Sequence, residues 1–419
     1  MIRRPPRSTQ GVSSAASDVY KRQVLIMSKI LSKRVNKVKP SATITISAKA
    51  MDLRAKGIDI ISLSAGEPDF DTPKHIKEAA INAINQGQTK YTQVDGTPEL
   101  KDAIIKKFKR DNNLEYKREN IIVSTGAKQT LYNLFQSVLG PEDEVIIISP
   151  YWVSYPDMIL LADAKPVFLE THQEDNFKIH KADLENCISE KTKLIILNSP
   201  SNPTGITFSK EQYKTIGDVL INYPNILIAT DDMYEHIYWG DEPITSFAEA
   251  CPDLFDRTIT INGVSKAYAM TGWRIGYCGA HEDLVKGMKK VQGQSTSNPS
   301  SISQAATIAA LNGSSEEIGK MVTEYKKRHD YMCDALNQID GFKTSPGTGA
   351  FYLLPEVQQA LEKKGFSDDV EFSSFLIEEA NVAVIPGSAF GANGYIRISY
   401  ATSIELLEES IRRIQDSLK

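Results

Sequence analysis

Between Ser265 and Gly276 the chain reads SKAYAMTGWRIG. Lys266 stands just past an apolar, strand-like run, Thr258 to Asn262 closed by Gly263, and Arg274 follows eight residues later. A lysine at the carboxyl end of a strand is placed to condense with a carbonyl, and a nearby guanidinium suits a phosphate. Pyridoxal 5'-phosphate needs both groups, the amine for its aldehyde and the guanidinium for its phosphate. Alone the pair is a weak signal, because most lysines sit on solvated surfaces.

Other segments add candidate groups, each with a plainer alternative. Ser124 to Gln129 (STGAKQ) follows a strand pattern and opens a helix, where free N–H groups and small residues suit a phosphate. An ordinary strand-to-helix turn reads the same way. Trp152, after Pro150 and Tyr151, offers a flat face on which a planar ring could stack, or a core aromatic. The loop NSPSNPTG, 198–205, places Asn202 where its amide could meet a ligand oxygen; asparagines also make turns with their own backbone. Asp231 ends a further apolar run, with Tyr234 three residues on. A carboxylate there could hold a proton on a ring nitrogen, or simply cap a helix. Arg397 interrupts the apolar strand YIRISY and could clamp a carboxylate bidentately or make an internal ion pair.

These groups need a scaffold. Apolar, β-branched runs at Ile121–Ser124, Glu144–Ser149, Pro166–Glu170, Lys193–Asn198, Ile226–Thr230, Thr258–Asn262 and Ile275–Gly279 predict seven strands. Helical patterns such as Gln129–Leu139 and Lys210–Ile221 lie between them. Near-continuous apolar strands separated by helices indicate an α/β fold, a mostly parallel sheet covered on both faces. Ligands of such sheets sit beyond the carboxyl ends of the strands, where most of the candidate groups fall. From about Ser314 the pattern becomes a long charged helix (Glu316–Gln338), short strands and a terminal helix (Ile404–Leu418). The expected division is a large domain over 71–313 and a smaller α+β domain over 314–419, to which 27–70 contributes.

Composition narrows the class. The 419 residues carry 48 basic and 53 acidic side chains, a net charge of −5 that gives no reason to expect a nucleic-acid partner. Four scattered cysteines without a CxxC argue against a structural zinc and fit a reducing, cytoplasmic setting. No apolar run approaches the roughly 20 residues of a membrane span. Residues 1–23 carry five basic residues and one acidic, with no apolar periodicity. Their composition would suit an organellar transit peptide. They more closely resemble the translated read-through of a sequencing adapter, so Met27 is expected to be the natural start and 1–26 a disordered tail.

Taken together the segments resemble the class I/II aminotransferases of the aspartate aminotransferase fold type, nearest the bacterial Ib aspartate/prephenate subgroup. The resemblance covers Met27 to Lys419. It rests on KPSAT (39–43), SAGEPDF (64–70), YTQVDGTPEL (91–100), SPYWVSY (149–155), NSPSNPTG, DDMYEH (231–236), SKAYAMTGWRIGY and YIRISYATS (395–403). It implies a fold-type I large domain with a seven-stranded sheet, a smaller domain, pyridoxal 5'-phosphate as cofactor, and a homodimer with shared active sites. Lys266 would form the Schiff base and move the Cα proton. Asp231 would keep the pyridine nitrogen protonated. Tyr234 and Asn202 would hold the phenolic oxygen, and Trp152 would stack on the ring. Gly126, Ala127, Lys128 and Arg274 would bind the phosphate, joined by Tyr91 of the neighbouring subunit. Arg397 would clamp the substrate α-carboxylate, with Gly66 against it.

The resemblance also implies double displacement between amino acids and 2-oxo acids. In the Ia subgroup an arginine of the other subunit binds the side-chain carboxylate, but 291–298 (VQGQSTSN) holds no basic residue. In the Ib subgroup a lysine at the place of Lys128 does this, helped by the segment that here contains Lys39 and Thr43. Aspartate and glutamate are therefore the expected donors. The competing readings are an aromatic, prephenate or neutral transaminase, a β-lyase on the same scaffold, and a transcription regulator carrying such a domain. Residues 1–40 are too short to hold a winged helix for the last of these.

Overall fold

A computed structural model describes residues 30–38, 40 and 42–419. It divides into two units, Met1–Lys39 and Pro40–Lys419. In the first, Val35–Lys37 forms a single 3-10 turn. The expected tail, 1–26, lies outside the described residues.

Twelve strands follow in the second unit: β1 (Ile61–Ser62), β2 (Ile121–Ser124), β3 (Glu144–Ser149), β4 (Lys165–Glu170), β5 (Thr192–Asn198), β6 (Leu227–Asp231), β7 (Thr258–Gly263), β8 (Gly276–Gly279), β9 (Tyr352–Leu353), β10 (Val382–Ala383), β11 (Ile385–Pro386) and β12 (Ile396–Ser399). All seven expected strands, β2 to β8, join one sheet of order β2-β8-β7-β6-β5-β3-β4. The pairs β4/β3, β3/β5, β5/β6 and β6/β7 are parallel, whereas β8 runs against both β7 and β2.

The near-continuous apolar runs have a simple cause. Successive side chains of a strand face opposite sides of a sheet. Ile146, Ile195 and Ile228 pack with Tyr213 and Ile216 on one side. Val145, Ile147, Leu194 and Ile196 pack with Leu131 and Phe135 on the other. Helices cover both sides, so neither set meets water. The helices Ala127–Val138 and Lys210–Leu220 match the expected amphipathic segments to within two residues.

The C-terminal part holds the expected long helix, Glu316–Asn337, and the terminal helix Ile404–Ser417. These pack with β9, β12 and Ile61 in a separate apolar cluster that Tyr234 also enters. Its sheets are small: β1 pairs β10 in parallel, and β11, β12 and β9 form an antiparallel triplet. All four cysteines are free.

Candidate active site

One edge of the large sheet collects the chemistry. Ser124, Ser149, Asn198, Asp231 and Gly263 end their strands there, and antiparallel β8 begins at the same edge with Gly276 opposite Gly263. The 12 residues between those two glycines leave and return at this edge, carrying both Lys266 and Arg274. They border a cavity of about 710 Å³, whose lining includes Thr43, Gly66, Lys128, Trp152, Tyr234 and Arg397.

Lys266 is half-buried, and its Nζ donates to the carbonyl of Gly66. The amine lies 5.9 Å from the ring centres of both Tyr234 and Phe351. Burial brings its pKa down to about 8; Glu67 opposes that shift, and Arg397 and Arg274 add to it. Below about pH 8 the group is an ammonium and above it a free, nucleophilic amine. Lys266 labelling by an amine-reactive reagent should therefore rise about tenfold per pH unit up to about 8 and then level off. Peptide mapping of the cofactor-free protein measures this. A rate that keeps climbing toward the ordinary lysine value of 10.5 would contradict it.

Asp231 closes β6 and no helix follows it, so it is not a helix cap. Its Oδ2 accepts a 2.6 Å hydrogen bond from the Tyr155 hydroxyl, and its buried Oδ1 has no partner. Burial raises the Asp231 pKa, opposed by the Tyr155 hydrogen bond and the Lys266 charge. Behind it, the Asn198 side chain donates to the Asp231 carbonyl at 2.8 Å and accepts from the Asn202 N–H at 2.9 Å. Asp231 and the Asn202 loop are thus fixed to each other.

Arg274 adopts a left-handed backbone, φ 57°, and donates from Nη1 to the Thr271 carbonyl at 2.8 Å. It lies directly over Gly126, the residue before the helix Ala127–Val138. Gly126 has φ 88°, and a Cβ there would stand 2.2 Å from Arg274 Nη2. The guanidinium therefore lies beside the first turn of the helix, whose N-terminal end carries partial positive charge. Lys128 Nζ sits 4.9 Å from the Trp152 ring centre, and desolvation together with the Arg274 charge lowers its pKa.

Arg397 on β12 is 2% exposed. Nη2 donates to the Ser64 carbonyl at 2.8 Å and Nη1 to Asn202 Oδ1 at 3.2 Å, while Nε is buried without a partner. Tyr352 and Phe390 flank the guanidinium with ring centres 4.6 and 4.9 Å away. Among the described residues no carboxylate pairs with it. Tyr234 shares a 3.0 Å hydrogen bond with Tyr352, and burial holds both phenols in their neutral form.

One expected residue, Tyr91, is not brought to this cavity and is 92% exposed, and Lys39 lies outside the described residues. Sequence reasoning missed Tyr155, Tyr352, Glu67 and Ser64. Tyr155 lies within the quoted SPYWVSY and Ser64 and Glu67 within SAGEPDF, but a contact between distant segments leaves no local signal. A separate group, Asp111, Glu235 and His236, approaches metal-ligand geometry. The cations there are the protein's own: Lys107 pairs with Glu235, and Arg110 with Asp111.

Residues 58–414 match the family described as aminotransferase class I and II. The chain is 50% identical over 394 residues to an aspartate/prephenate aminotransferase of Nitrosomonas europaea, covering 93% of this chain and 99% of that protein. It is 49% identical over 385 residues to an aspartate aminotransferase of Bacillus subtilis, covering 92% and 98%. Among solved structures, the aspartate aminotransferase of Rhizobium meliloti superposes with a TM-score of 0.88 at 43% identity, covering 93% of this chain and 98% of that one. The Thermus thermophilus enzyme with maleate gives 0.87 at 41%, covering 92% and 99%. Together with the sheet and the cavity at its edge, these matches settle the family: the chain belongs to the class I and II aminotransferases.

Proposed function

We propose that this aminotransferase exchanges amino groups between L-aspartate or L-glutamate and the corresponding 2-oxo acids, with pyridoxal 5'-phosphate on Lys266. The observation that carries the reading is the convergence of Lys266, the unpartnered Asp231 Oδ1 and the unpaired Arg397 on one cavity. The class is generally pyridoxal-phosphate-dependent, and the residues present fit that cofactor. A buried acceptor without a donor suits a protonated ring nitrogen. The Arg274 guanidinium, packed against Gly126 at the start of the helix, suits a phosphate. When bound, the cofactor withdraws electrons from the substrate Cα and makes its proton removable.

In this reading the chain's own groups do the rest. Lys266 gives up its contact with the Gly66 carbonyl and holds the cofactor. As a neutral amine, which its lowered pKa permits, Lys266 would also take the proton from the substrate Cα. Tyr234 and Asn202 orient the ring's phenolic oxygen, and Trp152 covers the ring. Gly126, Ala127, Lys128 and Arg274 fix the phosphate. Tyr91, exposed here, would complete the neighbouring site of a homodimer. Arg397 receives the α-carboxylate beside Gly66, and Lys128, with Thr43 near the cavity wall, receives the distal carboxylate. Maleate, named with the Thermus structure, is likewise a dicarboxylate. The domain division at 313/314, with 27–70 joining the smaller part, belongs to the same reading. Among the described residues no helix is long and apolar enough to cross a membrane, in keeping with a cytoplasmic enzyme.

A second reading rests on Ile44, Met51 and Leu131, which add an apolar stretch to the cavity wall. That stretch favours a ring-bearing acid such as prephenate or an aromatic amino acid. The visible absorption spectrum separates the two. A yellow band that L-aspartate bleaches and 2-oxoglutarate restores is the expected result. A band that ignores aspartate and responds to L-phenylalanine would move the assignment to ring-bearing donors. A protein that stays colourless with added pyridoxal phosphate would overturn both.

A further inference from the structure

The two oxygens of Asp231 have different surroundings. Oδ2 is taken by the Tyr155 hydroxyl at 2.6 Å, whereas Oδ1 is equally buried and has no partner. Tyr155 is 2% exposed on the helix Ser154–Leu161, and its ring packs edge-on to Trp152 with centres 5.3 Å apart. Its hydroxyl is therefore fixed in place, and it is the side-chain donor on the Asp231 carboxylate. The other titratable groups facing Asp231 are Lys266, Tyr234 and the adjoining Asp232.

A buried carboxyl has two ways to lower its energy: take up a proton, or be hydrogen-bonded as the anion. At Asp231 these compete directly. A proton between Oδ1 and a ring nitrogen resides on whichever atom is more basic. A donor on Oδ2 stabilises the anion and makes Oδ1 the weaker base.

We propose that Tyr155 is a positioning residue that decides where this proton sits. By donating to Oδ2 it holds Asp231 as a carboxylate with Oδ1 left open to a donor, and so leaves the proton on the cofactor's ring nitrogen. The choice is between one N–H bond and one O–H bond, and nothing else is gained or lost. A ring nitrogen that keeps its proton draws electrons from the substrate; one that loses it to Asp231 does not. The proposal rests on the cofactor assignment above and adds a residue which that assignment does not use.

The test is Tyr155→Phe, which removes the hydroxyl and keeps the ring. Protein reconstituted with pyridoxal 5'-phosphate labelled with nitrogen-15 in the ring reports the protonation state directly by its chemical shift. Wild-type protein should give the protonated value. The variant should move toward the unprotonated one, with kcat/KM for L-aspartate falling about 10- to 100-fold, the range for one hydrogen bond to a charged group. A merely structural role would lower the melting temperature and leave the nitrogen signal in place, and that result overturns the proposal. If the phenylalanine variant does not fold, p-aminophenylalanine at position 155 supplies a weaker donor of similar volume. It must then move the signal part of the way, and an unmoved signal overturns the proposal. Wild-type protein that takes up no labelled cofactor would instead overturn the cofactor assignment, and the role of Tyr155 with it.

Discussion

Lys266→Ala is expected to lower kcat by at least about 10⁴-fold, because in the proposed function one side chain would supply both the covalent anchor and the base. The fold should survive. Lys266 is half-buried, its side-chain hydrogen bond goes to the carbonyl of Gly66, and its loop is held by backbone bonds from Ala269 to Lys266 and from Met270 to Ser265. None of these backbone bonds depends on the amine. Burial already disfavours the charged amine, as its lowered pKa records, so truncation removes a cost as well as a contact. The melting temperature should stay close to that of the wild type, while added pyridoxal phosphate binds reversibly, without the lysine's covalent link. Turnover within about tenfold of wild type would sink the assignment of Lys266 as base.

The second large effect is expected at Arg397, and it has two opposite signs. A guanidinium that is 2% exposed without a carboxylate partner among the described residues is costly, and its contacts with Ser64, Asn202 and two aromatic rings offset that cost only in part. The missing counter-charge is the one a substrate α-carboxylate would bring. Arg397→Met, with a similar unbranched reach, should therefore leave the free protein as stable as wild type or more so. The same change should cut kcat/KM for L-aspartate about 10³-fold, the scale for removing one partner of a buried charge pair. Melting curves with and without maleate give a readout independent of turnover. Wild-type protein should gain stability from the dicarboxylate, and the variant should gain almost none. A variant stabilised by maleate as strongly as wild type would show that the carboxylate binds elsewhere.

The large sheet was legible because its strands are buried on both faces and write long apolar runs into the sequence. Their ends shift by no more than one residue: β6, for example, runs to Asp231 itself, not to Thr230. The short strands β9 to β12 were less visible, since two to four residues carry little periodicity. At the site, Lys266, Asp231, Arg274 and Arg397 could be named because each is a polar group at the end of, or inside, an apolar run. Tyr155 and Tyr352 could not. Each is an aromatic residue among apolar neighbours and reads as core, which it also is. Its hydroxyl gains a role only when a segment 76 residues away, for Tyr155, or 118, for Tyr352, folds against it. Tyr91 shows the opposite limit: its motif is clear, yet nothing in its own chain explains an almost fully exposed tyrosine.

The antiparallel placement of β8 has a consequence for engineering. Because Gly263 pairs with Gly276, the amine and the guanidinium hang from one closed hairpin and not from two separate crossovers. Their separation is set within that hairpin, while its seating depends on a second segment: Thr271 donates to Glu67, and Trp273 Nε1 donates to Thr72. A transplant of residues 263–276 into another scaffold would therefore need the 66–72 segment with it. Adding or deleting one residue within the hairpin would put the Lys266 amine and the Arg274 guanidinium out of step, and with them the proposed aldehyde and phosphate contacts, however well the rest of the protein folded.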